Sequence, residues 1–178
     1  VRNARDEVLL SEITQAVKRL EQDDAVRVLV LGGRGKVFCA GADLNWMKRM
    51  AGYSDEQNQA DAMGLATMLK TLHRVSKPTI ARVHGAAFAG GMGLAAACDV
   101  VVAEPTAEYC LSDVRIGLIP STITPYVMQA LGVQAFSSIA ADELKLFSTD
   151  EIAAIDVKAL TGLASDALSE LDSGQIKA

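Results

Sequence analysis

Apolar residues at Val8, Ile13, Val17 and Leu20 recur at helical spacing and predict an amphipathic first helix that ends at Asp23-Asp24. Val26 to Leu31 is short, β-branched and apolar, the pattern of a strand buried on at least part of both faces. Gly32-Gly33-Arg34-Gly35-Lys36 breaks it, and Val37 to Leu44 leads into a helical turn marked by Trp46, Met47 and Met50. Ser54 and Gln57 have capping-box spacing, so a long helix starts there with Met63, Ala66, Leu69 and Leu72 on one face. Lys77-Pro78 stops that helix before a second strand, Thr79 to Val83. A small-residue loop from His84 to Met92, a short helix to about Ala97 and a third strand at Val100 to Ala103 follow. A fourth strand is expected at Glu108 to Leu111, a turn at Gly117 to Pro120 and a helix from Pro125 to Leu131. From Ala135 onward the pattern is helical throughout, with Ser148 and Glu151 spaced as another capping box. Strands alternating with helices, and helices last, predict an α/β domain with a helical C-terminal region.

Composition narrows the chemistry. The 178 residues suit one domain, and the 50% hydrophobic content can bury a core. The 17 basic and 22 acidic residues give a net charge of −5 with no basic stripe, which argues against a nucleic-acid partner. No apolar run reaches membrane-spanning length. Cys39, Cys98 and Cys110 lack CxxC or metal-ligand spacing and read as reduced, buried thiols of a cytoplasmic protein. With only two histidines, no metal site is expected.

Two glycine-rich loops remain, each between a strand and a helix: Cys39-Ala40-Gly41-Ala42-Asp43-Leu44 and Phe88-Ala89-Gly90-Gly91-Met92-Gly93-Leu94. Small side chains leave backbone N–H groups uncovered, so two such loops converging on one spot would form a two-donor oxyanion hole. Tight helix–sheet packing accounts for such glycines equally well. The second loop nearly spells a dinucleotide fingerprint, with Asp113 as its acidic partner, but a whole strand–helix unit precedes it. The first glycine run contains no GxxxxGK[ST] phosphate loop.

Taken in order, Val37-Phe38-Cys39-Ala40-Gly41-Ala42-Asp43-Leu44, Lys77-Pro78-Thr79-Ile80-Ala81, His84 to Gly91, Ala97-Cys98-Asp99-Val100 and Gly117-Leu118-Ile119-Pro120 resemble the crotonase (enoyl-CoA hydratase/isomerase) superfamily. Arg2-Asn3-Ala4 is similar to the start of that family's first helix, and the likeness runs from about Val1 to Gly132. Asp43-Leu44-Asn45-Trp46-Met47 and Leu111 to Leu118 are closest to methylglutaconyl-CoA hydratase-like members. The resemblance implies a crotonase-like spiral of ββα units, assembly into trimers or hexamers, and an acyl-CoA thioester as substrate, with no cofactor beyond that coenzyme A. It implies one domain: a core over residues 1–132 with an N-terminal part missing, and a helical extension over 133–178.

By the same resemblance, the backbone N–H groups of Ala42 and Gly90 are oxyanion donors, and Ala40, Asp43, Leu44 and Gly91 line the coenzyme A passage. Arg2, Arg34 and Lys36 are candidate phosphate contacts. The family's hydratases carry two glutamates; here the first position is Gly93 and the second is Asp113, one methylene shorter. The expectation is hydration of a branched 2-enoyl-CoA with Asp113 handling the proton. The alternatives are a non-catalytic acyl-CoA binder, or an isomerase for which one carboxylate suffices. His84 is expected to make a structural hydrogen bond, and His73 to lie on the surface or in packing.

Overall fold

Asp6 accepts a hydrogen bond from the Leu9 N–H at 2.9 Å and so starts helix α1, Glu7–Gln22. The computed structural model describes residues 2–113 and 118–132. The expected helical region 133–178, its Ser148–Glu151 capping box and Gly117 of the expected turn lie outside the described residues. Leu10 and Val17 are the buried residues of α1, whereas Val8 is 58% exposed. At 3.6 residues per turn Val8 stands about 200° from Leu10, so the inward stripe is Leu10, Ile13, Val17 and Leu20.

Helix α2, Leu44–Met50, is followed by α3, Asp55–Arg74, whose capping box forms as expected: Ser54 N–H donates to Gln57 Oε1 at 2.9 Å and Gln57 N–H to Ser54 Oγ at 3.3 Å. Met68, Leu69 and Leu72 are its buried residues. Met63, expected among them, is exposed because nine residues put it about half a turn away from Leu72. The buried face of α3 packs on α1.

The strands form two sheets. β1 (Leu29–Gly32), β2 (Thr79–Val83) and β4 (Val100–Ala103) make a parallel sheet in the order β1-β2-β4. β3 (Ala86–Phe88) and β5 (Glu108–Cys110) make a second parallel pair, and a bridge from Cys39 to Ala87 extends it on the other side. The chain therefore gives successive strands to one sheet and then the other before each helix: β2, β3, α4 (Gly90–Ala96), then β4, β5 and α5 (Thr124–Leu131). This is the expected α/β repeat of two strands and a helix.

Two details differ from the sequence pattern. β3 lies inside what reads as a small-residue loop; Ala86-Ala87-Phe88 has little intrinsic strand preference and becomes a strand by pairing with β5 and Cys39. β1 is also buried on one face only. Leu29 points inward while Val30 is 61% exposed, and the register aligns Val30 with Ile80 and Val100 in one outward row.

Side-chain bonds tie these elements together. Asn3, at φ 52°, donates from Nδ2 to the carbonyls of Arg34 (2.8 Å), Val37 (2.8 Å) and Phe38 (3.1 Å), which fixes the glycine-rich break against the N-terminal segment. Replacing Asn3 by alanine strands those carbonyls, and we expect a loss of about 1–3 kcal/mol in urea unfolding. A smaller change would mean that water satisfies all three. Asp99 Oδ2 accepts from both the N–H and the hydroxyl of Thr79 at 2.8 Å, locking the start of β4 to the start of β2 and holding its carboxyl below the usual range.

Candidate active site

Cys39, β3 and β5 run parallel, so three segments leave that sheet at its carboxyl end, where α/β folds gather their ligand-binding loops. They are Cys39 to Asp43, Phe88 to Gly91, and Cys110 to Asp113. Hydrogen bonds join them: Phe88 N–H to Cys39 O at 2.9 Å, and Ala89 N–H to Cys110 O at 2.8 Å. The first two loops touch. A Cβ built on Gly41 (φ 97°) would lie 3.2 Å from the Ala89 methyl, and one on Gly91 would come 2.7 Å from Cys39 O. Glycine at these two positions is what permits the approach.

Ala89 precedes α4 with φ 51° and ψ −122°, a conformation glycine tolerates and alanine does not favour. Such strain costs on the order of 1–3 kcal/mol, and here it turns the chain sharply into Gly90. Ala89→Gly is accordingly expected to raise unfolding stability by about 1 kcal/mol. Unchanged or lower stability in a urea titration would show that the alanine is unstrained.

Around the first loop, Arg5 N–H donates to Gly41 O and Asp43 N–H to Arg5 O, both at 2.8 Å. In the second, the N–H groups of Met92 and Gly93 return to Ala89 O at 2.9 and 3.3 Å. The N–H groups of Ala42 and Gly90 find no acceptor among the described residues. Gly90 is buried and Ala42 half-buried, and each N–H is a donor without a partner among the described residues.

Asp113 is half-buried, and its Oδ2 has no partner among the described residues. Burial raises its carboxyl above the usual range, against the opposing pull of its own backbone N–H and of Arg5. Gly93 is closed to any side chain, because a Cβ there would come 2.7 Å from Ile123 Cβ on the segment that leads into α5. Asp113 is thus the carboxylate at this end of the sheet that has an unpartnered, buried oxygen among the described residues, whereas Asp43 is occupied in capping α2.

The other expected residues lie around the same loops. Asp43 caps α2, accepting from Asn45 and Trp46 N–H at 2.9 and 3.0 Å. Leu44, next to it, is 72% exposed, and Ala40 is half-buried. Gly91 is buried against Cys39. Arg2, Arg34 and Lys36 are exposed; of the three, Arg2 meets the loop, its carbonyl accepting the Ala40 N–H at 3.1 Å. His84 makes the expected structural bond, with Nε2 3.0 Å from Gly35 O, and His73 packs edge-on against Tyr126.

Cys39 and Cys98 are buried as expected, whereas Cys110 is only half-buried at the end of β5, and neither buried thiol is poised as a nucleophile. Burial raises Cys39 and pushes Cys98 up to about 11, so both stay protonated near neutrality. Among the described residues no group of histidine, cysteine and carboxylate side chains is arranged to hold a metal, and no helix is long and apolar enough to cross a membrane.

Sequence reasoning missed Arg5. It is 3% exposed, it forms a bridge to Ala42, and a Cβ on Gly90 would fall on its guanidinium. Its Nε and Nη1 have no partner among the described residues. Nothing in the sequence marks it, since an arginine between Ala4 and Asp6 reads as surface charge.

Residues 1–162 match the enoyl-CoA hydratase/isomerase family. An enoyl-CoA hydratase from Alternaria alternata is 31% identical over 176 residues, 95% of this chain and 57% of that protein. A 4-chlorobenzoyl coenzyme A dehalogenase from Arthrobacter is 37% identical over 118 residues, 65% of this chain and 42% of that one. The crystal structure of an enoyl-CoA hydratase from Shewanella pealeana superposes with a TM-score of 0.75 at 34% identity, over 99% of this chain and 77% of that one. The chain spans about half the length of the curated relatives it matches.

Proposed function

The chain belongs to the enoyl-CoA hydratase/isomerase family, and from that premise we propose that it adds water across the double bond of a 2-enoyl-CoA. The observation that carries this reading is the pair of N–H groups, Ala42 and Gly90, without acceptors among the described residues, on loops that touch, with the half-buried Asp113 carboxyl at the same end of the sheet. A thioester oxygen held between the two donors would be polarised, and each donor is worth roughly 10²–10³ in rate. The Asp113 carboxylate takes a proton from water as its oxygen bonds to Cβ. The π electrons move to the thioester oxygen as an enolate, and the protonated Asp113 then returns a proton to Cα.

A branched, methylglutaconyl-like acyl group is the substrate we favour, on the sequence resemblance over Asp43 to Met47 and Leu111 to Leu118. In this reading Ala40, Asp43, Leu44 and Gly91 border the coenzyme A passage, and exposed Leu44 supplies it an apolar lip. Self-association into a trimer or hexamer belongs to the same proposal. It is supported by the outward row Val30–Ile80–Val100, apolar surface that a partner copy would cover.

Loss of absorbance of the enoyl thioester on a panel of straight and branched 2-enoyl-CoAs tests the reaction. Turnover no greater than that of Asp113→Ala on every member would sink it. One observation favours isomerisation as a second reading: Ile123 closes the position of a second carboxylate, and one carboxylate suffices to move a proton between carbons. Product analysis separates the two, because hydration alone yields a 3-hydroxyacyl thioester.

A further inference from the structure

Arg5 connects the two loops. Its backbone exchanges hydrogen bonds with Gly41 and Asp43 on either side of Ala42, and its guanidinium lies against Gly90. It is 3% exposed, yet Nε and Nη1 meet no acceptor among the described residues, whose ion pair is Arg49 with Glu7 on the surface. A buried cation that has a hydrogen bond with Cys39 but no ion pair among the described residues is a structural liability; an apolar side chain of similar size would serve the fold as well or better. Burial lowers its affinity for the proton, while Cys39, Asp113 and Asp61 oppose that shift; a guanidinium stays charged under these conditions.

We propose that Arg5 is a positioning residue whose buried positive charge, lying against Gly90 on a residue whose backbone is bridged to Ala42, stabilises the negative charge that develops on a thioester oxygen held by the two donors. The inference rests on the oxyanion reading above and adds to it a full charge that acts through space. Two dipolar N–H groups favour an enolate. A unit charge several ångströms away at an effective dielectric of about 20 adds on the order of 10–100-fold. The fold keeps the charge at a cost in stability, as sites built for reaction often do.

Acetoacetyl-CoA is the probe, because its enolate absorbs where its keto form does not. On enolisation the α-proton leaves to solvent and the C–H electron pair moves onto the thioester and ketone oxygens, so the absorbance reports how far the site favours that charge. The 178-residue chain is titrated with the probe across pH as wild type, Arg5→Met and Arg5→Lys. We expect the wild type to bind the enolate in preference to the keto form. Arg5→Met should lower the enolate-to-keto ratio about 10–100-fold. Arg5→Lys should retain it within a few-fold, and Arg5→Met should melt at the same temperature as wild type or higher. If the wild type binds the enolate and Arg5→Met binds it equally, the inference about Arg5 is wrong while the oxyanion reading stands. If the wild type shows no preference for the enolate, the oxyanion reading itself fails. Should Arg5→Met not fold, Arg5→Lys decides by the same ratio, and a ratio as low as that of free probe overturns the inference.

Discussion

Replacing Asp113 by asparagine should lower kcat by about 10²–10⁴-fold, the usual worth of a positioned proton-transfer group. The change removes the charge and the proton-carrying capacity but keeps the size, so KM for the thioester should move little. Because burial favours the neutral acid, the carboxylate that acts as base appears only above the ordinary aspartate value. The kcat/KM of the wild type should therefore rise with pH through an apparent pKa above that value, and this limb should vanish in Asp113→Asn. Stability should move the other way. A carboxyl whose folded pKa is raised binds its proton more tightly in the native state, so its ionisation costs stability as pH rises through that range. Asp113→Asn is then expected to be no less stable than wild type at neutral pH. A variant with unchanged kcat and an unchanged acid limb would remove Asp113 from the mechanism.

What the sequence makes legible follows from how local each signal is. The Ser54–Gln57 capping box, the stop at Lys77-Pro78 and the β-branched runs of β2 and β4 depend on neighbours within a few positions, and the structure has them at the expected residues. The two glycine loops are also legible, because Gly41 holds a positive φ and Gly91 a close approach to Cys39 O, both of which disfavour a larger residue. Burial was harder to read. Val8 and Met63 are apolar and helical but face outward, since the buried stripe is set by which side of α1 meets α3. β3 and Arg5 left no local trace. One is a strand only through pairing with Cys39 and β5, and the other is buried only because Gly90 and Ala42 close around it. The closure of Gly93 likewise depends on Ile123, thirty positions away in sequence.

The second large effect is expected at Gly90, where donor and side-chain space can be separated. Gly90→Pro deletes the N–H, and Gly90→Ala keeps it; both put a Cβ onto the Arg5 guanidinium, so their difference isolates the donor. The residue before a proline must suit the new ring, and Ala89 at φ 51° and ψ −122° leaves little latitude. The pair is therefore best compared in an Ala89→Gly background, which relaxes that constraint. Proline at the first position of α4 costs the helix nothing, since that N–H has no intrahelical acceptor. We expect kcat for Gly90→Pro to fall a further 10²–10³-fold, roughly, below Gly90→Ala, with affinity for free coenzyme A nearly equal in the two. That pattern is the signature of an interaction that strengthens in the transition state. Circular dichroism must show both variants folded, because displacement of Arg5 could loosen the loop. Equal turnover in two folded variants would mean that the Gly90 N–H takes no part, and that the second glycine loop serves packing alone.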